Sequence, residues 1–397
     1  MTYHVSAVNK TSLRDWRLRR VRSQLAQAGY DAVLLYDPIN IRYATDTVNM
    51  QVWTLHNRVR YAFVALDGPV VLFDFAGCEH LSQGNRHVDE IRTARSATYL
   101  MCASDLASDT KAWATEVKDL VQVSGGRRLA LDVCDPHMVS ALQAEELVVG
   151  NGTEVMERAR WIKNADEILA MKEAIYACEQ GIASMAAHLV PGVTETELWS
   201  HLHQVNIALG GEWIESRLLT SGARTKPWFQ EASSHAIARG ELVSFDTDLI
   251  GPNGYCADIS RSWICGDADP TADQRYIYRV AYEQLQNNIE LMRPGMTLAE
   301  ISKKAFRLPS ECSATHYAML AHGVGLCDEA PLIPHPWNVR ETGRDDIVVE
   351  PGMVFCVESL VARDDGTECV KLEEQLLITE SGYELLSSYP FEARLLS

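Results

Sequence analysis

The chain has 397 residues, of which 54 are acidic and 36 are basic, and its formal net charge is −18 at pH 7. This charge argues against a nucleic-acid partner, because proteins that bind phosphate backbones cluster Lys and Arg. Hydrophobic residues make up 47% of the sequence and charged residues 23%, as in an ordinary globular protein. The length exceeds that of a typical single core, so we expect two domains.

The N-terminal sequence indicates where the protein works. Residues 14–22 read RDWRLRRVR, which is too charged for a signal peptide, and the sequence has no apolar run long enough to cross a membrane. We therefore expect a cytoplasmic protein with no membrane partner. The ten cysteines form no CxxC pair, which favours reduced cysteines that pack as small hydrophobic residues.

The first part of the chain alternates helical and strand patterns. An amphipathic helix is predicted from about Leu13 to Ala28, ending at Gly29, and a buried strand follows at 32–36. This alternation is typical of an α/β domain. Further segments of the same kind are the apolar runs 61–66, 70–73 and 128–131 and the helical stretch 111–123.

The second part begins with a long predicted helix and contains an internal repeat. The helix runs from about Ala165 to Leu189, with Asn164 or Asp166 as its cap. The sequence PGVTETEL at 191–198 is echoed by PGMTLAEI at 294–301. Two similar units this far apart predict a duplicated half-domain with pseudo-twofold symmetry.

Two predicted hairpins each place acidic residues face to face. Asp246 and Asp248 alternate in a predicted strand, so both side chains should leave one face of it. A Gly-Pro-Asn-Gly turn follows, and the returning strand carries Asp258 opposite Asp248. In the second hairpin, strands at 354–361 and 368–378 flank an Asp-Asp-Gly turn. Glu358 and Glu373 then pair across it.

One histidine lies between the two hairpins, in the glycine-rich segment LAHGVG at 320–325. The nearby glycines would let the backbone approach a crowded centre. Each acidic residue alone is most simply a cap or a solvated side chain, but together the set predicts a site for two divalent metals such as iron, manganese, cobalt or zinc. Thiolate ligation by Cys327 or Cys356 is a less favoured alternative. The predicted ligands are Asp246, Asp248, Asp258, His322, Glu358 and Glu373.

These motifs resemble the pita-bread family of methionine aminopeptidases, prolidases and creatinases across nearly the whole chain. The sequence RWIK at 160–163, followed by DEI at 166–168, resembles the entry to that family's catalytic domain. The resemblance implies an α+β protein. A pita-bread catalytic domain made of two α/β halves would occupy residues 159–397, after a smaller creatinase-like α/β domain at 1–158. It also implies a dinuclear site, in which Asp248 or Asp246 provides the first ligand.

Two departures argue against peptide hydrolysis. Peptidases of this family use two further histidines, where this chain has KPWF at 226–229 and LCDE at 326–329. The segments 37–46, 210–215, 245–248 and 322–329 resemble instead the dimethylsulfoniopropionate (DMSP) lyases of the superfamily, known as DddP. That resemblance implies a homodimer that cleaves DMSP to dimethyl sulfide and acrylate, with both Asp246 and Asp248 as ligands. It implies two metal ions per chain, with iron expected first and zinc, manganese or cobalt as alternatives.

The chemistry suggests roles for further residues. Removal of the proton beside the substrate carboxylate needs a base, and Asp328 is our candidate, although a helix cap or support for a metal ligand is the alternative. Tyr317 is a candidate hydrogen-bond donor to the substrate, or simply a buried tyrosine. Trp53 and Trp228 are candidates for an aromatic wall around the sulfonium cation, or ordinary core residues. Ala330, where these lyases are expected to carry tryptophan, bears on how the substrate fits.

Two other functions compete with the lyase. An Xaa-Pro dipeptidase, an aminopeptidase or a creatinase-like hydrolase would use the same fold and ligands, but would need substitutes for the missing histidines. A non-catalytic binding module would have lost metal ligands, whereas all predicted ligand positions are filled here.

Overall fold

A computed structural model describes residues 8–313, 317–338 and 347–397 of the chain. The chain divides into two compact units, one of residues 9–160 and one whose main body is residues 161–397. Both units mix helices and strands, as the predicted α+β class requires. In the described part of the chain, no helix combines the length and the apolar character needed to span a membrane.

The N-terminal unit is a six-stranded mixed sheet with helices. Its strand order is β4-β3-β2-β1-β5-β6, with β1 antiparallel to β2 and parallel to β5. The predicted first helix ends where Gly29 takes a left-handed conformation (φ 72°). The elements are α1 Lys10–Ala28, β1 Ala32–Leu35, α2 Pro38–Thr45, α3 Gln51–His56, β2 Tyr61–Ala65, β3 Val70–Asp74, β4 Glu90–Thr93, α4 Tyr99–Cys102, α5 Leu106–Val123, β5 Arg128–Leu131, α6 Pro136–Ala144, β6 Val148–Asn151 and α7 Gly152–Arg160.

The C-terminal unit contains a five-stranded antiparallel sheet, a three-stranded sheet and a two-stranded ribbon. Their strand orders are β13-β12-β14-β15-β16, β11-β8-β7 and β10-β9. The elements are α8 Ala165–His188, α9 Glu195–Ala208, β7 Leu219–Ser221, β8 Leu242–Phe245, β9 Leu249–Ile250, β10 Cys256–Ala257, β11 Arg261–Ile264, α10 Ala272–Ile289, α11 Leu298–Lys304, β12 Met319–Val324, β13 Asp328–Pro334, β14 Val354–Val361, β15 Val370–Ile378, β16 Tyr383–Leu385 and α12 Ala393–Leu396.

The core of the C-terminal unit lies between α10 and the five-stranded sheet. Tyr278 and Leu285 of α10 are fully buried together with Phe355 of β14 and Leu372 of β15. Because side chains alternate along a strand, the residues next to these core positions point to the other face of the sheet. On β15 those alternate residues include Glu373, so the apolar core orients the acidic residues.

The internal repeat forms two copies of one local structure. Thr194 caps α9 and Thr297 caps α11, each in a capping box with the glutamate three residues later. The glycines of the two Pro-Gly pairs, Gly192 and Gly295, both have positive φ (96° and 87°). Each also donates its N–H to a carbonyl of a distant segment. The duplication predicted from the sequence is therefore present in the backbone. The long helix α8 is likewise capped, by Asn164 and Glu167.

Because the two helices have the same kind of cap, loss of either cap should have a similar effect on the free energy of unfolding. Thr194→Ala and Thr297→Ala should each lower the free energy of unfolding of the C-terminal unit by about 1 kcal/mol, because each leaves one helix-terminal N–H without its acceptor. Urea unfolding followed by circular dichroism measures this effect. Ser200→Ala, on the exposed side of α9, is the control and should leave the midpoint unchanged. Midpoints of both cap variants equal to that of the control would contradict the capping assignment.

Candidate metal centre

The first acidic hairpin has the expected register, but its strands are interrupted. β9 pairs with β10 and β8 with β11 in one continuous register, which sets Asp248 across from Asp258. The prediction that Asp246 and Asp248 share the face of one strand is wrong, because the strand breaks between β8 and β9. Asp248 has φ 37°, in the left-handed region, so the regular alternation of strand side chains ends before it.

The second acidic hairpin is regular. β14 and β15 pair over eight positions, and Glu358 lies directly across from Glu373 as predicted. Two serines attach the first hairpin to this one. Ser262 donates its hydroxyl to the carbonyl of Lys371 (3.0 Å), and the N–H of Glu373 donates to the carbonyl of Ser260 (3.2 Å). These bonds bring the acidic ends of the two hairpins together.

His322 lies on β12, between β13 and β14. Its Nδ1 is 3.0 Å from the carbonyl of Gly323, a contact that leaves Nε2 directed at the carboxylates. The segment needs its glycines, because a Cβ at Gly323 would lie 2.5 Å from the carbonyl oxygen of Ala330, and one at Gly325 would meet the Glu329 carboxylate at 2.5 Å. This close approach is the reason for the glycine-rich segment seen in the sequence.

Three carboxylates surround His322 Nε2. The nearest oxygens are Asp258 Oδ2 at 3.4 Å, Glu373 Oε1 at 3.5 Å and Glu358 Oε1 at 3.9 Å. Cys356 is also close, since its sulfur and the ligand atoms of Asp258, His322 and Glu373 all lie within 4.8 Å of one another. One nitrogen, several oxygens and a buried sulfur can hold a divalent metal here.

A second cluster adjoins the first and shares one carboxylate with it. Oxygens of Asp248, Asp258 and Asp328 lie within 4.8 Å of one another. Asp258 is therefore common to both clusters. Asp328, at the start of β13, is 3.7 Å from His322 Nδ1, and 46% of its side chain is exposed. This exposure distinguishes it from the buried members of the two clusters.

Asp246 is engaged differently from the other predicted ligands. Its Oδ1 accepts the hydroxyl of Ser260 (2.6 Å), and its Oδ2 is 3.1 Å from the ammonium of Lys371. That ammonium also contacts Glu358 and Glu373, at 2.8 Å each. Neither the position of Lys371 nor its burial was predicted from the sequence.

The buried charges shift one another's protonation. Burial and the neighbouring Asp246 raise the pKa of Asp248 to about 6, whereas at Asp246 the effect of burial is outweighed by Lys371, which lowers the pKa to about 2. Burial and the Glu373 carboxylate raise the pKa of Asp258 well above its usual range. Burial alone would lower the pKa of His322, but the surrounding carboxylates, Asp328 foremost, raise it well above its ordinary value. The cluster thus favours positive charge beside Nε2.

One buried atom tests whether the site suits a metal. Glu373 Oε1 is buried and accepts no hydrogen bond from any of the described residues. It lies 3.5 Å from His322 Nε2, which is in turn 3.4 Å from Asp258 Oδ2. A buried carboxylate oxygen without a donor is costly unless a cation coordinates it. The residues present therefore fit a divalent metal.

Aromatic side chains border the carboxylates. The ring of Tyr317 lies 5.3 Å from the Lys371 ammonium, and Tyr317 borders a small apolar cluster that contains Trp228. Phe229, for which no role was predicted from the sequence, stacks on Tyr317 with ring centroids 5.8 Å apart and is 67% exposed. Trp53 belongs to the N-terminal unit, where it contacts Phe75 and is partly exposed.

Comparisons with known proteins agree with this geometry. Residues 170–380 match metallopeptidase family M24, and residues 17–162 match the creatinase/prolidase N-terminal domain. The chain is 44% identical to the dimethylsulfoniopropionate lyase DddP of Roseovarius nubinhibens over 391 residues, which cover 97% of this chain and 87% of the relative. The chain belongs to the M24 family.

Further comparisons show high sequence identity to a second lyase and a similar fold, at low identity, in a dipeptidase. DddP of Roseobacter denitrificans is 42% identical over 394 residues, covering 97% of this chain and 88% of that protein. An Xaa-Pro dipeptidase from Bacillus anthracis has a similar fold, with a TM-score of 0.75 over 95% of this chain and 98% of the dipeptidase, but it is only 22% identical. The recognised superfamily and its pita-bread fold are thus confirmed. The chain is an enzyme of the lyase branch of this superfamily.

Metal addition should stabilise the protein through Glu373. Cobalt added to chelator-treated wild type at about 100 times its dissociation constant should add about 2.7 kcal/mol of stability, measured as a rise in melting temperature. Glu373→Gln should lose most of this rise. The control is Glu374→Gln, because Glu374 points to the opposite face and pairs with Arg261 (2.6 Å). Glu374→Gln should have a lower melting temperature than wild type but keep the cobalt-dependent rise. Equal rises in melting temperature in both variants would refute the assignment of Glu373.

Proposed function

We propose that this chain is a DMSP lyase that converts DMSP to dimethyl sulfide and acrylate by β-elimination. The observation that carries the proposal is the solvent-exposed carboxylate of Asp328, set beside His322 and the buried carboxylates. The identity to two DddP lyases over nearly the whole chain supports the same reaction. The proposed ligands are Asp246, Asp248, Asp258, His322, Glu358 and Glu373.

In the proposed reaction Asp328 is the base. Divalent ions held by the ligands would bind the substrate carboxylate and supply Lewis-acid stabilisation of the negative charge that develops beside it. Asp328 takes the proton from Cα, the C–H electron pair forms the Cα–Cβ double bond, and the Cβ–S bond breaks with its electrons going to sulfur. Neutral dimethyl sulfide and acrylate leave. Because Asp328 reaches solvent, it can return its proton to water before the next cycle.

The surroundings of Asp328 suit a base. Partial burial raises the pKa of Asp328 well above the ordinary aspartate value; nearby His322 opposes the shift, and the Asp248 and Glu373 carboxylates add to it. The contact of the side chain with solvent moderates the effect of enclosure. A carboxylate with a raised pKa is a stronger base once it is ionised.

The aromatic residues would hold the cationic end of the substrate. Phe229 has φ 68°, which is unfavourable for a bulky residue and indicates that the surrounding structure holds it there. Lys226, three residues earlier, donates to the carbonyls of Arg363, Asp364 and Gly366 and anchors this segment. An exposed ring held in this way can attract a sulfonium ion. We propose Phe229, Tyr317 and Trp228 as the aromatic wall; Trp53, in the N-terminal unit, stays a prediction from the sequence.

The proposal also includes the metal, the assembly and the location. We propose two divalent ions per chain, with iron first and zinc, manganese or cobalt as alternatives, in a cytoplasmic homodimer with the domain boundary after residue 158. Carboxylate and imidazole ligands accept all four metals. Metal analysis and light scattering of the purified protein measure the first two of these points.

Asp328→Asn should strongly reduce elimination while leaving the six proposed metal ligands unchanged. Headspace detection of dimethyl sulfide from metal-loaded protein and DMSP should show a loss of about 100- to 10,000-fold in kcat, because the amide cannot accept the proton. Asp365→Asn, in the exposed turn between β14 and β15, is the control and should keep full activity. An Xaa-Pro dipeptide assayed in parallel should remain intact. Cleaved dipeptide without gas would replace the lyase by a hydrolase.

Phe229→Leu should weaken substrate binding more than turnover. Loss of the ring should raise KM for DMSP by about threefold to tenfold and change kcat little, since the contact is with the cation and not with the breaking C–H bond. Phe229→Tyr keeps the ring and should retain the wild-type KM. The same KM in both variants would remove Phe229 from the wall.

A further inference from the structure

Lys371 occupies the centre of the acidic site, and it is fully buried. It lies two residues before Glu373 on β15, so both side chains leave the same face of the strand. Its ammonium is 2.8 Å from Glu358 Oε2, 2.8 Å from Glu373 Oε2 and 3.1 Å from Asp246 Oδ2. The ammonium also donates to the Ser260 hydroxyl (3.1 Å). A lysine enclosed by three buried carboxylates is unusual, because charged side chains are almost never fully buried unless paired.

The contacts of Lys371 select one oxygen of each glutamate. They hold Oε2 of Glu358 and of Glu373, while Oε1 of each residue faces His322 Nε2, at 3.9 and 3.5 Å. Ser260 strengthens this division, because its hydroxyl lies 2.6 Å from Asp246 Oδ1 and 2.7 Å from Glu373 Oε2. The Oε2 atoms, which we call the outer oxygens, are thus fixed by hydrogen bonds. The Oε1 atoms, the inner oxygens, both face His322 Nε2.

We propose that Lys371 is a positioning residue for the metal centre, an internal cation that fixes the outer carboxylate oxygens and presents the inner ones to the metal. It also offsets one unit of the negative charge that would otherwise drive the carboxylates apart. The Tyr317 ring, 5.3 Å from the ammonium, covers it on one side. This inference rests on the metal centre of the proposed function and does not depend on the identity of the substrate.

The expected result of removing Lys371 is weaker metal binding. The carboxylates of Glu358 and Glu373 would lose their common donor and turn away from one another, so the inner oxygens would no longer converge. Loss of such supporting contacts typically lowers metal affinity about tenfold to a hundredfold. Arginine keeps the charge and several donors, so Lys371→Arg should recover much of the affinity that Lys371→Met loses.

The test is equilibrium dialysis of chelator-treated full-length protein against Co²⁺, with bound cobalt counted by mass spectrometry and its geometry read from the visible spectrum. Lys371→Met should bind cobalt at least about ten times more weakly than wild type, with an altered spectrum. Lys163→Met is the matched control, because Lys163 is also buried and paired with a carboxylate, Glu329 at 3.1 Å. It should be destabilised but bind cobalt as wild type does.

Each outcome distinguishes this inference from the metal centre itself. If wild type binds no cobalt, the metal centre fails. If wild type binds cobalt and Lys371→Met binds it as tightly or more tightly, only the positioning role fails. Should Lys371→Met not fold, Ser260→Ala, which removes one hydroxyl from the same network, must still weaken cobalt binding relative to Lys163→Met; unchanged binding there would overturn the inference.

Discussion

The structure of the C-terminal unit depends on holding several carboxylates together away from water. Buried charges of one sign repel each other strongly, since the protein interior screens them poorly. Here the repulsion is met by one ammonium, Lys371, and by the imidazole of His322, together with hydroxyls such as that of Ser260. The negative charge that these groups do not neutralise favours the binding of further cations. The same negative charge raises the pKa of His322, because it stabilises the protonated imidazole.

The surrounding fold explains how such a cluster stays ordered. The apolar face of β14 and β15 packs on α10, and the opposite face carries Glu358 and Glu373 at directly paired positions. The first hairpin is attached by backbone and serine hydrogen bonds to β15. Because apolar packing supplies the stability, the acidic face is free to be arranged for chemistry. The two acidic hairpins come from distant parts of the chain, one from each duplicated half, and meet at the cluster of carboxylates.

Local sequence rules predicted some of this arrangement and could not predict the rest. The pairing of Glu358 with Glu373 followed from a strong turn signal between two apolar strands, and the register of Asp248 with Asp258 from the turn between them. The break at Asp248 was missed, because period-two alternation does not reveal a left-handed residue within a strand. Lys371 was missed for a different reason. A lysine in a strand is ordinarily exposed, and only the long-range convergence of three carboxylates makes its burial favourable.

Solvent exposure separates two roles that the same functional group can play. A carboxylate that binds metal is best kept from water and held rigidly, whereas a base must exchange its proton with solvent in every cycle. Glu373, a proposed ligand, is 0% exposed, and Asp328, the proposed base, is 46% exposed. Both carboxylates lie within 4 Å of the His322 ring, so the two proposed roles are separated by only a short distance within the site. Under the proposed function, one scaffold with one set of metal ligands would change its reaction through a group at the exposed edge of the site. The proposal agrees with a fold similar to that of an Xaa-Pro dipeptidase and with a sequence that is far more similar to the DddP lyases.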